Sequence, residues 1–131
     1  MNTTNLTHGF RISAFDGIVL IIGGCLTAWL YREDNPVWWL VAMVLGHFFL
    51  FCNVFLVWRR WELFWAAIFL VNVTVHLMGG ELNGGSVFVW QLPVTLWVIA
   101  LQIRSPFYHG IFAHRWNRRL PEYLNNNIKT P

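Results

Sequence analysis

Four long stretches without an ionisable residue other than His constrain the fold of this chain more than any other feature. They cover 17–31, 35–58, 63–80 and 82–103. A helix needs about 20 mostly apolar residues to cross the hydrocarbon core of a bilayer. The first stretch reaches that length when 12–16 is added, and the capping-box spacing of Ser13 and Asp16 predicts that Asp16 lies at the helix start. The sequence therefore predicts four transmembrane helices, at about 12–31, 37–58, 62–80 and 84–104.

The composition argues against a soluble domain. Charged residues make up only 11% of the chain and hydrophobic residues 56%, including nine Trp and eleven Phe. Soluble domains carry roughly 25% charged residues, and this much apolar surface requires another phase to cover it. The connections between the stretches are short, so consecutive helices should pack as antiparallel hairpins. We expect a single all-α polytopic membrane domain over 1–131.

The distribution of Arg and Lys predicts the orientation of the chain, because these residues resist translocation across a membrane. Arg32 is alone on one face of the predicted bundle, next to the acidic Glu33, Asp34 and Glu81. We expect that face to lie outside and both termini to lie in the cytoplasm, in a bacterial cytoplasmic (inner) membrane. The basic residues of the cytoplasmic face are Arg11, Arg59, Arg60, Arg104, Arg115, Arg118, Arg119 and Lys129.

The segment after the fourth stretch mixes aromatic and basic residues. Apolar side chains recur at every fourth position, which forms a stripe on a helix. This spacing predicts a short interfacial amphipathic helix at about 107–120, followed by a disordered tail over 125–131. Arg115, Arg118 and Arg119 would then contact anionic lipid headgroups. The stripe consists of Tyr108, Phe112, Trp116 and Leu120.

Polar side chains inside the predicted spans are the candidates for a functional site, because each needs a hydrogen-bond partner within the bilayer. His47 lies in the second span and Asn72 in the third, at nearly the same depth for a rise of about 1.5 Å per residue. We expect these two side chains to bond directly if the face of the third span that carries Asn72 turns toward the second span. The full predicted polar cluster is His47, Asn72, His76, Gln91 and Thr95.

Two interpretations of this cluster remain open. In the first, the side chains hold the helices together by hydrogen bonds. In the second, His47 and His76 are the axial ligands of haem b or another tetrapyrrole. A metal site is not expected, because neither a third His nor a carboxylate lies at the same depth. The first interpretation predicts a protein without a cofactor.

No sequence motif of nucleophilic, phosphate-binding or zinc chemistry is present. We therefore expect a non-enzymatic protein that does not bind nucleic acid. The sequence favours an accessory or assembly subunit of a larger membrane complex, with lipids and either a membrane protein or a second copy as partners. One alternative is a haem-binding or pigment-binding redox subunit that uses His47 and His76. The other is an oligomeric small-molecule carrier, although Pro93 has no matching helix break in the second span.

Overall fold

The computed structural model describes residues 8–125, and every regular element in this range is a helix. Three helices are long and apolar enough to cross a membrane, namely α1 (Ala14–Arg32), α3 (Arg59–Met78) and α4 (Gly84–Arg104). The shorter α2 (Trp38–Phe49) continues into a π-helical turn (Leu50–Val54). Two short helices, α5 (Ala113–Trp116) and α6 (Leu120–Leu124), complete the described chain.

The backbones pair most closely between α1 and α2 and between α3 and α4. A Cβ at Gly23 would lie 2.7 Å from Leu45 Cδ1, so α1 and α2 approach closely there and a larger residue would displace the Leu45 side chain. A Cβ at Gly84 would lie 2.8 Å from the Trp39 ring, so α4 also approaches α2 closely. One apolar core is formed by α2, the π-helical turn, α3 and α4, whereas α1 has no buried residue.

The predicted capping box at the start of α1 is confirmed. The Ser13 backbone N–H donates to Asp16 Oδ2 at 2.8 Å, and the Asp16 N–H donates to Ser13 Oγ at 3.1 Å. The same Asp16 oxygen also accepts from Asn53 Nδ2 at 2.9 Å. Asp16 therefore caps α1 and ties the helix start to the π-helical turn.

The second helical segment ends earlier than predicted, at Val54 instead of at about residue 58. Its terminal carbonyls are bonded by distant parts of the chain and not by a further helical turn. Asn53 O accepts from the Arg11 N–H at 3.0 Å, and Val54 O accepts from the Ile111 N–H at 2.9 Å. Leu56 takes a positive φ of 47°, which breaks the helix. The prediction of helix over 55–58 is therefore wrong.

The single amphipathic helix predicted over 107–120 is also wrong. Only Ala113–Trp116 is helical before Leu120, and Phe112 has a left-handed φ of 54°. Tyr108 is fully buried, whereas Phe112 is 52% exposed, so the predicted stripe does not form one face.

Side-chain hydrogen bonds explain the fold of this C-terminal segment. The Tyr108 hydroxyl donates to Ile111 O at 2.8 Å. Asn117 Nδ2 donates to Pro106 O at 3.0 Å and to Tyr108 O at 2.8 Å. These bonds supply partners to carbonyls that a continuous helix would have used itself. Burial raises the pKa of the Tyr108 hydroxyl to about 12.

The C-terminal segment packs against the N-terminal segment at one end of the bundle. The Gly9 N–H donates to His109 O at 2.8 Å, and the His109 ring stacks on Tyr123 at 5.0 Å. Burial raises the pKa of Tyr123 as well. Of the tail predicted to be disordered, 126–131 lies outside the described residues. Residues near Gly9 and residues of the C-terminal segment therefore pack together at this end of the bundle.

We expect Asn117→Asp to loosen the C-terminal segment. A carboxylate cannot donate to Pro106 O or Tyr108 O, and Asn117 is only 6% exposed. The free energy that holds this segment in its folded position should fall by about 1–3 kcal/mol. Hydrogen exchange of the purified protein should show faster exchange over 105–124. The exposed Asn125→Asp is the matched control, and equal exchange in the two variants would contradict the role of Asn117.

Candidate functional site

A hydrogen-bonded junction in the middle of the bundle connects α2, α3 and α4. Its centre is Thr95 Oγ1 on α4. The Trp65 indole N–H, from α3, donates to this oxygen at 2.8 Å. His47 Nε2, from α2, lies 3.0 Å from the same oxygen. One hydroxyl therefore joins three helices.

The partners of His47 define where its proton lies. Its Nδ1 is 2.8 Å from Met43 O, and because a carbonyl only accepts, Nδ1 carries the hydrogen. In the neutral imidazole Nε2 is then an acceptor, so the Thr95 hydroxyl donates to it. The alternative acceptor for that hydroxyl is Gln91 O, at 3.1 Å. Both ring nitrogens of His47 are bonded within the chain.

Aromatic contacts fix the His47 ring in this position. It stacks on the Trp65 indole at a centroid distance of 4.3 Å, with 25° between the planes. Trp65 in turn stacks on Phe69 at 5.1 Å. The edge-on ring of Phe51 contacts both His47 and Trp65, at 5.8 Å and 5.6 Å. The imidazole is thus held by packing as well as by hydrogen bonds.

A second set of bonds joins α3 to α4 through the fully buried side chain of Gln91. Gln91 Nε2 donates to Trp65 O at 3.3 Å, and its Oε1 accepts from Asn72 Nδ2 at 3.3 Å. Asn72 also donates to Val87 O at 2.9 Å. His76 bonds only locally among these groups, with its Nδ1 2.9 Å from Asn72 O in the same helix.

Hydrogen bonds between helices connect four of the five predicted residues, all except His76, but in a different order from the one expected. The direct bond expected between His47 and Asn72 is absent from the described hydrogen bonds, and that expectation was wrong. Thr95, Trp65 and Gln91 lie between them. Depth along a helix cannot show which way a side chain turns around its axis, and this is why the pairing was missed.

Trp65 is the member that the sequence reasoning missed. Aromatic residues commonly fill gaps between helices, so the residue type of Trp65 does not by itself indicate a hydrogen-bonding role. Its position seven residues before Asn72, two helical turns away, was an available signal that both lie on one face of α3. The structure places both side chains toward α4.

The two histidines do not fit the geometry of a haem with two axial ligands. His47 has both ring nitrogens bonded and lines a groove between α2 and α4 of about 370 Å³. His76 lines another groove, of about 630 Å³ between α3 and α4, together with Trp90. A ring bound between them would need both to face one cavity. Within 8–125, no group of three His, Cys, Asp or Glu is placed to hold a metal ion.

The three arginines predicted to contact lipid headgroups lie in the C-terminal segment, and all are exposed. Arg115 is in α5, whereas Arg118 and Arg119 precede α6. Arg119 Nε lies 3.9 Å from Glu122 on the surface, where an ion pair contributes little to stability.

In comparisons with known proteins, no protein-family model, curated protein or solved structure matches this chain.

We expect Thr95→Val to destabilise the bundle. Valine has the same shape but leaves the Trp65 indole N–H without an acceptor and His47 Nε2 without a donor. The free energy of unfolding in detergent should fall by about 1–3 kcal/mol, whereas Thr95→Ser, which keeps the hydroxyl, should cost less.

Thr74→Val is the matched control for this experiment. The Thr74 hydroxyl donates only to Leu70 O within its own exposed helix turn. Equal losses for Thr95→Val and Thr74→Val would show that the junction does not hold the helices together.

Proposed function

We propose that this protein is a small non-catalytic, multi-pass membrane protein that serves as an accessory or assembly subunit of a larger membrane complex. The observation that carries the proposal is the engagement of the interior polar groups with the chain itself. His47 uses both ring nitrogens, and Gln91 uses both atoms of its amide. Groups committed in this way hold a scaffold together and leave the outer surface for interactions.

Four membrane crossings are part of this proposal. Three helices have the required length, and Trp38–Val54 would form the fourth crossing, between α1 and α3. At 1.5 Å per residue this segment is roughly 25 Å long, and 55–58 would complete the passage. The basic end of the bundle would face the cytoplasm of a bacterial cell, because Arg resists translocation.

Accessibility of single cysteines tests this topology. In a background without Cys25 and Cys52, Asn35→Cys and Asn83→Cys should react with an impermeant thiol reagent added outside intact cells. Asn125→Cys should react only after the cells are opened. The basis is the position of Asn35 and Asn83 in the two loops at the Arg32 end. Outside labelling of Asn125→Cys would contradict the proposed orientation.

The outer surface contains a groove suited to a partner helix. It lies between α1 and α2, has a volume of about 540 Å³ and includes Gly24, Ala28, Ala42 and Gly46 in its lining. A Cβ at Gly24 or Gly46 would meet nothing within 4 Å, so packing inside this chain does not require these glycines. Small residues four positions apart allow membrane helices to approach closely. We propose a transmembrane helix of another membrane protein as the occupant.

Filling this groove should separate the chain from its partner without unfolding it. In Gly24→Leu/Gly46→Leu, the new side chains meet open space within this chain. Replacing glycine inside a helix typically gains about 0.5–1 kcal/mol, so the stability of the isolated chain should be kept or raised. On native gels of mild-detergent extracts, we expect the wild type in a complex with a reproducible stoichiometric partner and the variant near 15.4 kDa plus detergent.

Gly17→Leu provides the matched control. Gly17 also has open space around its Cβ position and lies on α1, but it does not line the groove. This variant should keep the complex. An unchanged complex in Gly24→Leu/Gly46→Leu would rule out the groove as the contact, and a complex made only of this chain would show that the partner is a second copy.

A further inference from the structure

The start of α3 holds an arginine against two tryptophan rings. The Arg60 guanidinium carbon lies 4.7 Å from the centroid of Trp58 and 5.3 Å from that of Trp61. Cation–π attraction to ring faces restricts the positions of an exposed guanidinium. In the described part of the chain the one ion pair is that of Arg119 with Glu122, so Arg60 has no carboxylate within 4.0 Å.

An aromatic surface continues from this arginine along α3 and α4. The centroid of the Trp61 ring lies 6.4 Å from that of Phe64 and 6.0 Å from that of Trp97. The rings of Phe64 and Trp97 have a centroid distance of 5.5 Å. Phe64 is 38% and Trp97 is 49% exposed. Phe64 is one helical turn further from the end of the bundle than Arg60. The surface thus changes from cationic to apolar over a short distance.

Asp16 and Glu62, two carboxylates at this end of the bundle, bond to neutral groups and form no ion pair with Arg60. Asp16 is bonded to Ser13 and Asn53. Glu62 Oε1 accepts from Cys52 Sγ at 3.2 Å. The site therefore retains a positive charge directly above an exposed apolar surface, and an amphipathic anion matches both properties.

We propose that Arg60, Trp61, Phe64 and Trp97 form a binding site for an anionic phospholipid of the surrounding membrane. The phosphate contacts the outer N–H edge of Arg60, because the planar guanidinium can bind phosphate oxygens through two parallel hydrogen bonds. The first part of an acyl chain lies on Phe64 and Trp97. α3 and α4 are both long and apolar enough to cross a membrane, and in a membrane phospholipids would surround this surface.

Lipid binding to the purified full-length chain in nonionic detergent tests this site. Native mass spectrometry and thermal unfolding would compare dimyristoyl phosphatidylglycerol, dimyristoyl phosphatidylcholine and glycerol 3-phosphate. We expect phosphatidylglycerol to bind and to raise the Tm more than phosphatidylcholine, whose headgroup has no net charge. Glycerol 3-phosphate should not raise the Tm, because it lacks acyl chains. Equal effects of the two lipids, or an effect of glycerol 3-phosphate matching that of phosphatidylglycerol, would overturn the proposal.

Variants distinguish a built site from diffuse attraction to a basic surface. Arg60→Gln should weaken phosphatidylglycerol binding about fivefold, as expected for one cation at a membrane surface. Arg59→Gln is the control, because Arg59 is exposed in the same helical turn but contacts no described aromatic ring. Equal losses in these two variants would overturn the proposal. Trp97→Leu leaves the charge intact and should also weaken binding, and unchanged affinity in that variant would be equally decisive against it.

Discussion

The hydroxyl group of Thr95 is the contact on which the arrangement of the helices depends. Helices surrounded by lipid gain little from the hydrophobic effect when they associate, so packing and hydrogen bonds must hold them together. Each hairpin has its own close contacts, such as Gly23 against Leu45. The two hairpins are joined by Thr95, which bonds to His47 of one and to Trp65 of the other. A single interior atom thereby adds a hydrogen-bonded link to the apolar contacts between the two pairs of helices.

The bonding of the interior polar groups is the reason we propose that function lies on the outer surface of the bundle. Both ring nitrogens of His47 are bonded within the chain, so this imidazole has no nitrogen left for an external ligand. The outer surface has open glycines between α1 and α2, and the cation of Arg60 sits above an aromatic surface on α3 and α4. These two surfaces lie on different helix pairs, so a protein and a lipid would not compete for one place.

Sequence reasoning predicted the features that depend on local pattern. The absence of charge located the long helices, and the spacing of Ser13 and Asp16 located the start of α1. It failed where distant segments decide the outcome. Backbone bonds from Arg11 and Ile111 set the end of the π-helical turn that follows α2, and the side chain of Asn117 sets the C-terminal fold. For the cluster, the sequence indicated polar residues at similar depth, but the rotation of each helix, which decides the partners, is not encoded in spacing alone.

One backbone bond at the end of the π-helical turn joins segments that are synthesised far apart in time. Val54 O is paired with Ile111, a residue that lies beyond all four long helical segments in the order of synthesis. This carbonyl therefore stays without its final partner until the segments up to Ile111 have been synthesised. A chain stopped before Ile111 would contain α1 to α4 but lack α5, α6 and the N–H group that bonds to Val54 O.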